Sequence, residues 1–314
     1  MTAPPDWFLR SRLKMRHVHL VVAVDELRSI HKAAAQLRMT QPAATKLLSD
    51  LERVLGLKLF ERNTRGIIPT PHGASLARHA RTILGTLDHA RDELAAISTG
   101  STGKLTVGVL LVVAPVLLPR ALLVFKRQNP HVTVQVQEGT LGTLLPLLHA
   151  GELDLVVGRL TSDFATTGLS FTPCYEEPMT LVVRRGHPLT RRRTLSLADL
   201  VDESWILPTP EAAYRHRIDA AFRQAGVEPP AQRIESMSIL TNTTLLQESD
   251  MLGVMPLNIA RHYAKAGTLA TLHVPLPQPS GPVGIIARAD APAVAARDDL
   301  VEALQATGRT LGRG

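Results

Sequence analysis

Cysteine is nearly absent from this 314-residue chain: the single Cys174 excludes an internal disulfide framework and a multi-cysteine zinc site. No charged residue stands near it before Glu176, so it reads as a small buried apolar side chain rather than a redox centre. Long hydrophobic runs are also lacking. Leu105–Leu118 is the longest candidate, and Gly108 and Pro115 break it well short of the roughly 18 apolar residues a membrane helix takes. Met1-Thr2-Ala3-Pro4-Pro5-Asp6 is not a basic segment leading into an apolar stretch, so no export signal is expected and the chain reads as cytoplasmic. Catalytic punctuation is missing as well. There is no glycine-rich phosphate loop, Gly-x-Ser-x-Gly elbow or His-Glu-x-x-His. His17 and His19, and His72 and His79, lack metal-ligand spacing, and Glu152 and Asp154 merely open a strand. The expectation is a non-enzyme with no cofactor and no metal.

What is present is positive charge, and it is concentrated. Residues 1–73 carry twelve Lys and Arg against six Asp and Glu, whereas residues 74–314 carry 23 against 22. A basic N-terminal unit on a near-neutral body is the electrostatic footprint of a nucleic-acid-binding head. A membrane-surface helix would need a bulky apolar face opposite its cations; here Arg10, Arg12, Lys14 and Arg16 alternate with other residues, and Trp7 and Phe8 fall outside the helical run.

Ala33–Lys46 gives that head a shape. Ala33, Ala34 and Leu37 share one helical face, Arg38-Met39 is a tight connection, and Thr40 is a favourable N-cap. Pro42 suits the first turn of a second helix, and Ala43 and Ala44 let two helices cross closely. This is the pattern of a helix-turn-helix; an ordinary helical pair in a core is the other reading of these residues alone. The flanks favour the first. Leu13–Glu26 is a preceding amphipathic helix, Ser29 caps the next, and the recognition helix runs from Gln41 to about Leu55, where Gly56 stops it. Leu57–Phe60 and Ile67–Thr70, joined by Asn63-Thr64-Arg65-Gly66, predict a hairpin wing. Arg62 and Arg65 on that wing suit phosphates or a minor groove.

From Ala74 to Ile97, Leu76, Ala80, Ile83, Leu87, Ala90, Leu94 and Ile97 recur at steps of four and three, a heptad seam that asks for a partner helix. Ser98–Gly103 is a small polar hinge. Beyond it, strands and helices alternate, which predicts mainly parallel sheets flanked by helices. The fold class is therefore α/β and multidomain. Residues 13–73 form the winged helix-turn-helix, 74–99 the linker and dimerisation helix, 104–175 plus 271–308 one lobe, and 176–270 the other.

Ala33-Ala34-Ala35-Gln36-Leu37, Thr40-Gln41-Pro42-Ala43-Ala44-Thr45-Lys46, Leu51-Glu52, Leu55-Gly56, Leu59-Phe60-Glu61-Arg62 and Thr70-Pro71-His72-Gly73 together resemble the DNA-binding head of LysR-type transcriptional regulators. Gly151-Glu152-Leu153-Asp154-Leu155 and Gly253-Val254-Met255-Pro256 are similar to landmarks of that family's body. Within the family, Ala43-Ala44-Thr45-Lys46 and Leu153-Asp154-Leu155-Val156-Val157-Gly158-Arg159 resemble the regulators of galactose-binding protein and of the protocatechuate pathway.

The resemblance implies that Gln41, Pro42, Thr45 and Lys46 meet the major groove and Arg65 works from the wing. It also implies a body like periplasmic solute-binding proteins, holding a small effector, a sugar or small organic acid, between its lobes. By position its contacts are Leu110, Leu111, Thr140 and Arg159 from one lobe and Pro208, Thr209 and Thr241 from the other. Leu110–Val113 is wholly apolar where many relatives place Ser or Thr, while Arg159 and a helix start at Thr241 favour an anion. The expected assembly is a homotetramer built as a dimer of dimers on double-stranded DNA, whose head spacing follows lobe closure. The competing reading, a solute-binding protein without DNA-binding activity, suits residues 104–314 and leaves 1–97 unexplained.

Overall fold

The computed structural model describes residues 13–63, 66–99, 103–111, 113–161, 167–279, 281–291 and 294–313. Contacts divide the chain into two compact units, Met1–Lys104 with Leu145–Asp154, and Leu105–Leu144 with Leu155–Gly314.

The first unit opens with α1 (Met15–Leu27), α2 (Ile30–Gln36) and α3 (Gln41–Leu55), whose ends are set locally. Ser29 Oγ accepts from the Lys32 amide at 3.3 Å, Thr40 Oγ1 accepts from the Ala43 amide at 3.4 Å, and Gly56, at φ 66°, closes α3. Val21 and Val24 of α1, Ala33 and Ala34 of α2 and Ala44 and Leu48 of α3 meet in one core, and the alanines let the backbones approach. The wing is the antiparallel pair β1 (Phe60–Asn63) and β2 (Gly66–Pro69). Its first strand starts at Phe60 and not at Leu57, because the Leu59 and Phe60 amides bond the Glu52 carboxylate instead of a strand partner.

Helix α4 (Pro71–Thr99) contains the heptad seam, but not with a single environment. Leu76 and Ala80 pack into the core of their own head, whereas Ile83, Leu87 and Ala90 are exposed; the side chains of Leu94 and Ile97 lie outside the described residues. Ala80 is thus buried in its own head, while Leu76 is only half-buried there. A straight helix of 3.6 residues per turn drifts off a 3.5-residue seam, so one row need not face one neighbour throughout.

In the body, β3 (Lys104–Leu110), α5 (Leu117–Gln128), β4 (Thr133–Gly139), α6 (Leu141–Ala150), β5 (Leu155–Arg159) and β6 (Leu169–Tyr175) precede a crossover at Glu176–Pro178. The second lobe follows with β7 (Met179–Arg184), β8 (Trp205–Leu207), α7 (Ala213–Gln224), β9 (Arg233–Glu235), α8 (Ile239–Glu248), β10 (Leu252–Pro256), α9 (Leu257–Lys265) and β11 (Leu269–Leu272). The chain then returns to the first lobe for β12 (Val283–Arg288) and α10 (Ala295–Gly312). The sheets have orders β4-β3-β5-β12-β6 and β11-β7-β10-β8-β9.

Both sheets are mixed rather than mainly parallel. β3 and β5 run parallel, as do β8 with β9 and with β10, but β12 enters antiparallel between β5 and β6, and β7 lies antiparallel to β10 and β11. A chain that crosses between lobes twice inserts its returning strand against the sense of the earlier ones. Strand β11, expected to begin the return to the first lobe, instead pairs with β7 and buries Leu269 and Leu272 in the second. The return segment is therefore 273–282. Strand β6 has no counterpart in the sequence-based expectation; it ends the sheet, where Pro173 costs no inner ladder bond. In the second lobe Trp205 and Phe222 pack edge to face at 5.3 Å.

Candidate functional site

Helix α3 presents two faces. Ala44, Leu47, Leu48 and Leu51 are buried, while Gln41, Pro42 and Lys46 are exposed and Thr45 is half-buried. Gln41 and Pro42 occupy the first turn, where backbone amides also point outward. Beside this face lies a groove of about 240 Å³ bounded by Thr45, Ser49, Lys58, Phe60, Glu61 and Ile67, so the recognition helix and wing border one concave surface. The side chain of Arg62, and all of Arg65, lie outside the described residues; the Arg62 backbone pairs with Ile67.

Glu52, quoted in the sequence only as part of a family motif, holds that surface in shape. Its buried carboxylate accepts from the Leu59 amide at 2.8 Å, the Phe60 amide at 3.2 Å and Lys58 Nζ at 2.7 Å, fastening the wing's entry to the recognition helix. Thr70 closes the other side. Its hydroxyl donates to the Lys58 carbonyl at 2.7 Å and accepts from the Gly73 amide at 3.1 Å. Gly73 has no room for a side chain: a Cβ there would collide with the Leu59 carbonyl.

In the body, the effector candidates stand at strand ends and helix starts of both lobes. Leu110 packs against the first lobe's core, across Gly158, and Leu111 is half-buried. Thr140 is exposed, its amide donating to Thr143 Oγ1 at 3.0 Å. Pro208 is buried, its carbonyl accepting from Arg215 Nη1 at 2.8 Å, and the Thr209 carbonyl accepts from the Ala212 amide at 3.0 Å. Thr241 is not the start of α8. Ser238 caps that helix, and its Oγ takes the Thr241 amide at 3.2 Å and hydroxyl at 2.9 Å, so this amide is not free for a ligand.

Arg159 does more than end a strand. Its Nε donates to the Gly281 carbonyl at 2.8 Å and an Nη to the Glu177 carbonyl at 2.9 Å, so one side chain holds both crossovers between the lobes. Burial pushes its pKa down, opposed by Glu177 and Glu176. Its other Nη makes no hydrogen bond with a described residue. Around it, Glu177 is a buried carboxylate satisfied by Tyr175 Oη at 2.7 Å and by the Asn258 amide and Nδ2, both at 3.0 Å. Tyr214 donates to the Pro277 carbonyl at 2.7 Å on the return segment. Nothing local in the sequence marks Glu177, Asn258 or Tyr214, because each acts on a segment far along the chain. Burial pushes the Cys174 thiol up to about 11, which keeps it protonated and unreactive near neutrality. Among the described residues no group of three His, Cys, Asp or Glu is arranged to hold a metal, and no helix is long and apolar enough to cross a membrane.

Comparison with known proteins agrees with both halves of this architecture. The LysR substrate binding domain matches residues 98–309, and the bacterial regulatory helix-turn-helix protein, lysR family, matches residues 15–74. The HTH-type transcriptional regulator GbpR of Azospirillum brasilense is 39% identical over 266 residues, 84% of this chain and 78% of that protein. PcaQ of Agrobacterium fabrum, also an HTH-type transcriptional regulator, is 33% identical over 279 residues, 89% of this chain and 90% of its own. Full-length CbnR complexed with its target DNA shares the fold at a TM-score of 0.60 and 23% identity, covering 94% of this chain and 100% of that one. Head and body are both accounted for along most of their length, and the chain belongs to the LysR family of transcriptional regulators.

Proposed function

We propose that the head reads promoter DNA with Gln41, Pro42, Thr45 and Lys46 in the major groove and grips the backbone with Arg62 and Arg65. The observation that carries this reading is the exposed polar row of α3, backed by a buried apolar row and bordered by the wing. Gln pairs two-handedly with adenine, Thr offers a hydroxyl and a methyl, and Lys reaches guanine or phosphate. Ile83, Leu87, Ala90, Leu94 and Ile97 pair two chains along α4, and the bodies join such pairs into a homotetramer in the cytoplasm. The effector is a sugar or small organic acid held between the lobes, and an acid gains most, because the uncommitted side of the Arg159 guanidinium offers it a fork of donors. Leu110 and Leu111 supply an apolar wall, with Thr140, Pro208, Thr209 and Thr241 around it. An effector that prefers one lobe angle shifts the assembly toward it and so resets the distance between heads.

The test is binding of the full-length chain to a promoter duplex across a salt series. Arg62→Ala is expected to weaken binding to all sequences alike and to lower the salt slope by about 1. Gln41→Ala is expected to relax sequence choice, at about 1–3 kcal/mol for the contacted base pair. Unchanged slope and unchanged selectivity in both variants overturn the assignment.

A further inference from the structure

Away from the effector candidates, the body has a groove of about 560 Å³ where the two lobes meet. Arg120 of α5 and Thr310 and Leu311 of α10 form its first-lobe wall; Arg261 and Lys265 of α9 form the other, with Asn258 between them. Among the described residues no Asp or Glu lines it. Arg120, Arg261 and Lys265 make no side-chain hydrogen bond or ion pair with any described residue. Other cations of this near-neutral body do have acidic partners: Arg184 pairs with Asp250, Arg215 with Asp219 and Glu235, and Arg233 with Glu235.

The arrangement carries a cost that the C-terminal end of α9, which favours Lys265 in its last turn, offsets only in part. Arg261 and Lys265 are like charges four residues apart on one helix, and Arg120 is a cation in the first turns of α5, where the helix dipole disfavours it. An anion carrying more than one charge relieves all three at once, and two guanidinium forks on opposite walls match carboxylate or phosphate oxygens. Ala264 and Leu311 lower the local dielectric beside it. We propose that this groove is a second small-molecule site, taking a compact polyanion such as a phosphate ester or a tricarboxylate. Because its walls belong to different lobes and Asn258 also holds the crossover residue Glu177, an occupant braces the lobe junction and biases the lobe angle independently of the cleft.

The experiment is calorimetry and thermal shift on the full-length chain at constant ionic strength, with pyrophosphate and citrate as probes and acetate as the singly charged control. Pyrophosphate or citrate is expected to bind with a Kd below about 10 mM and acetate not to bind. The double variant Arg261→Gln/Lys265→Gln is expected to lose about tenfold or more in affinity, one charge-assisted bond or better. A charge-matched double variant elsewhere on the body, Arg127→Gln/Arg223→Gln, retains wild-type affinity. Absence of polyanion binding, equal binding of acetate, or equal losses in the two double variants overturns the proposal.

Discussion

Replacing Glu52 tests how the DNA-binding surface is built. The Glu52→Ala change leaves the buried amides of Leu59 and Phe60 without an acceptor and frees Lys58 Nζ from its 2.7 Å contact. The Lys58 contact contributes little, since that side chain is 75% exposed. Each stranded buried amide costs about 1–3 kcal/mol, and partial relaxation makes the pair less than additive, so about 2–4 kcal/mol is expected. The Glu52→Gln variant keeps a carbonyl oxygen for both amides and exchanges only the outer oxygen, so about 1 kcal/mol or less is expected. Native-state hydrogen exchange of the segment spanning residues 57–70 reads this locally, independent of the body's unfolding. At 1.4 kcal/mol per tenfold, Glu52→Ala accelerates exchange there by about 30-fold to 1,000-fold, and Glu52→Gln by a few-fold. If Ala and Gln accelerate exchange equally, the two amide bonds do not hold the wing and the account is wrong.

Two further outcomes follow from the same region. Gly73→Ala is expected to lower the head's melting midpoint and abolish tight DNA binding, because its Cβ meets the rigid Leu59 carbonyl; overpacking of this kind costs about 1–3 kcal/mol. Gly56→Ala, with a left-handed φ of 66° and open space around the new methyl, costs only about 1 kcal/mol, and a reversed ranking refutes the steric argument. Burial, then Arg16 and Lys14, push His17 below its ordinary 6.5, and its Nδ1 accepts from the Lys14 amide at 3.0 Å. The unfolded chain therefore binds a proton that the folded head resists. Head stability is full well above pH 6.5 and falls as the pH drops through it, so the protection of α1 amides, taken relative to their intrinsic exchange rate at each pH, should decrease below pH 6.5, less so in His17→Gln.

What was legible in the sequence is what is set locally. Ser29, Thr40 and Gly56 announce the helix ends through bonds spanning three residues or through one dihedral angle, and the Ala-rich crossing needs only residue size. The heptad row was legible as a pattern but not in its partners: Leu76 and Ala80 turn to α1, while Ile83 and Leu87 remain 40% and 50% exposed. Pairings between distant segments were not legible. The place of β12 between β5 and β6 depends on two passages between lobes, and the Arg159 bond to Gly281 spans 122 residues. Arg159 could be placed at a strand end from its spacing; that its donors hold backbone carbonyls of both crossovers could not.

That placement changes how ligand binding reaches the rest of the chain. A guanidinium exposed in a cleft reports only to its ligand, whereas Arg159 is anchored to the Glu177 and Gly281 carbonyls, one on each connection between lobes. The second lobe holds the same connections through Asn258 on Glu177 and Tyr214 on Pro277. Each connection is thus gripped from both sides, and the Asn258 bonds to Glu177, which are buried, are the costly ones to leave unmade. Lobe angles that preserve these bonds are favoured over those that break them. If an acid binds Arg159, as proposed, it alters the charge at the point where both connections are held, and any differential affinity for one lobe angle would act there directly.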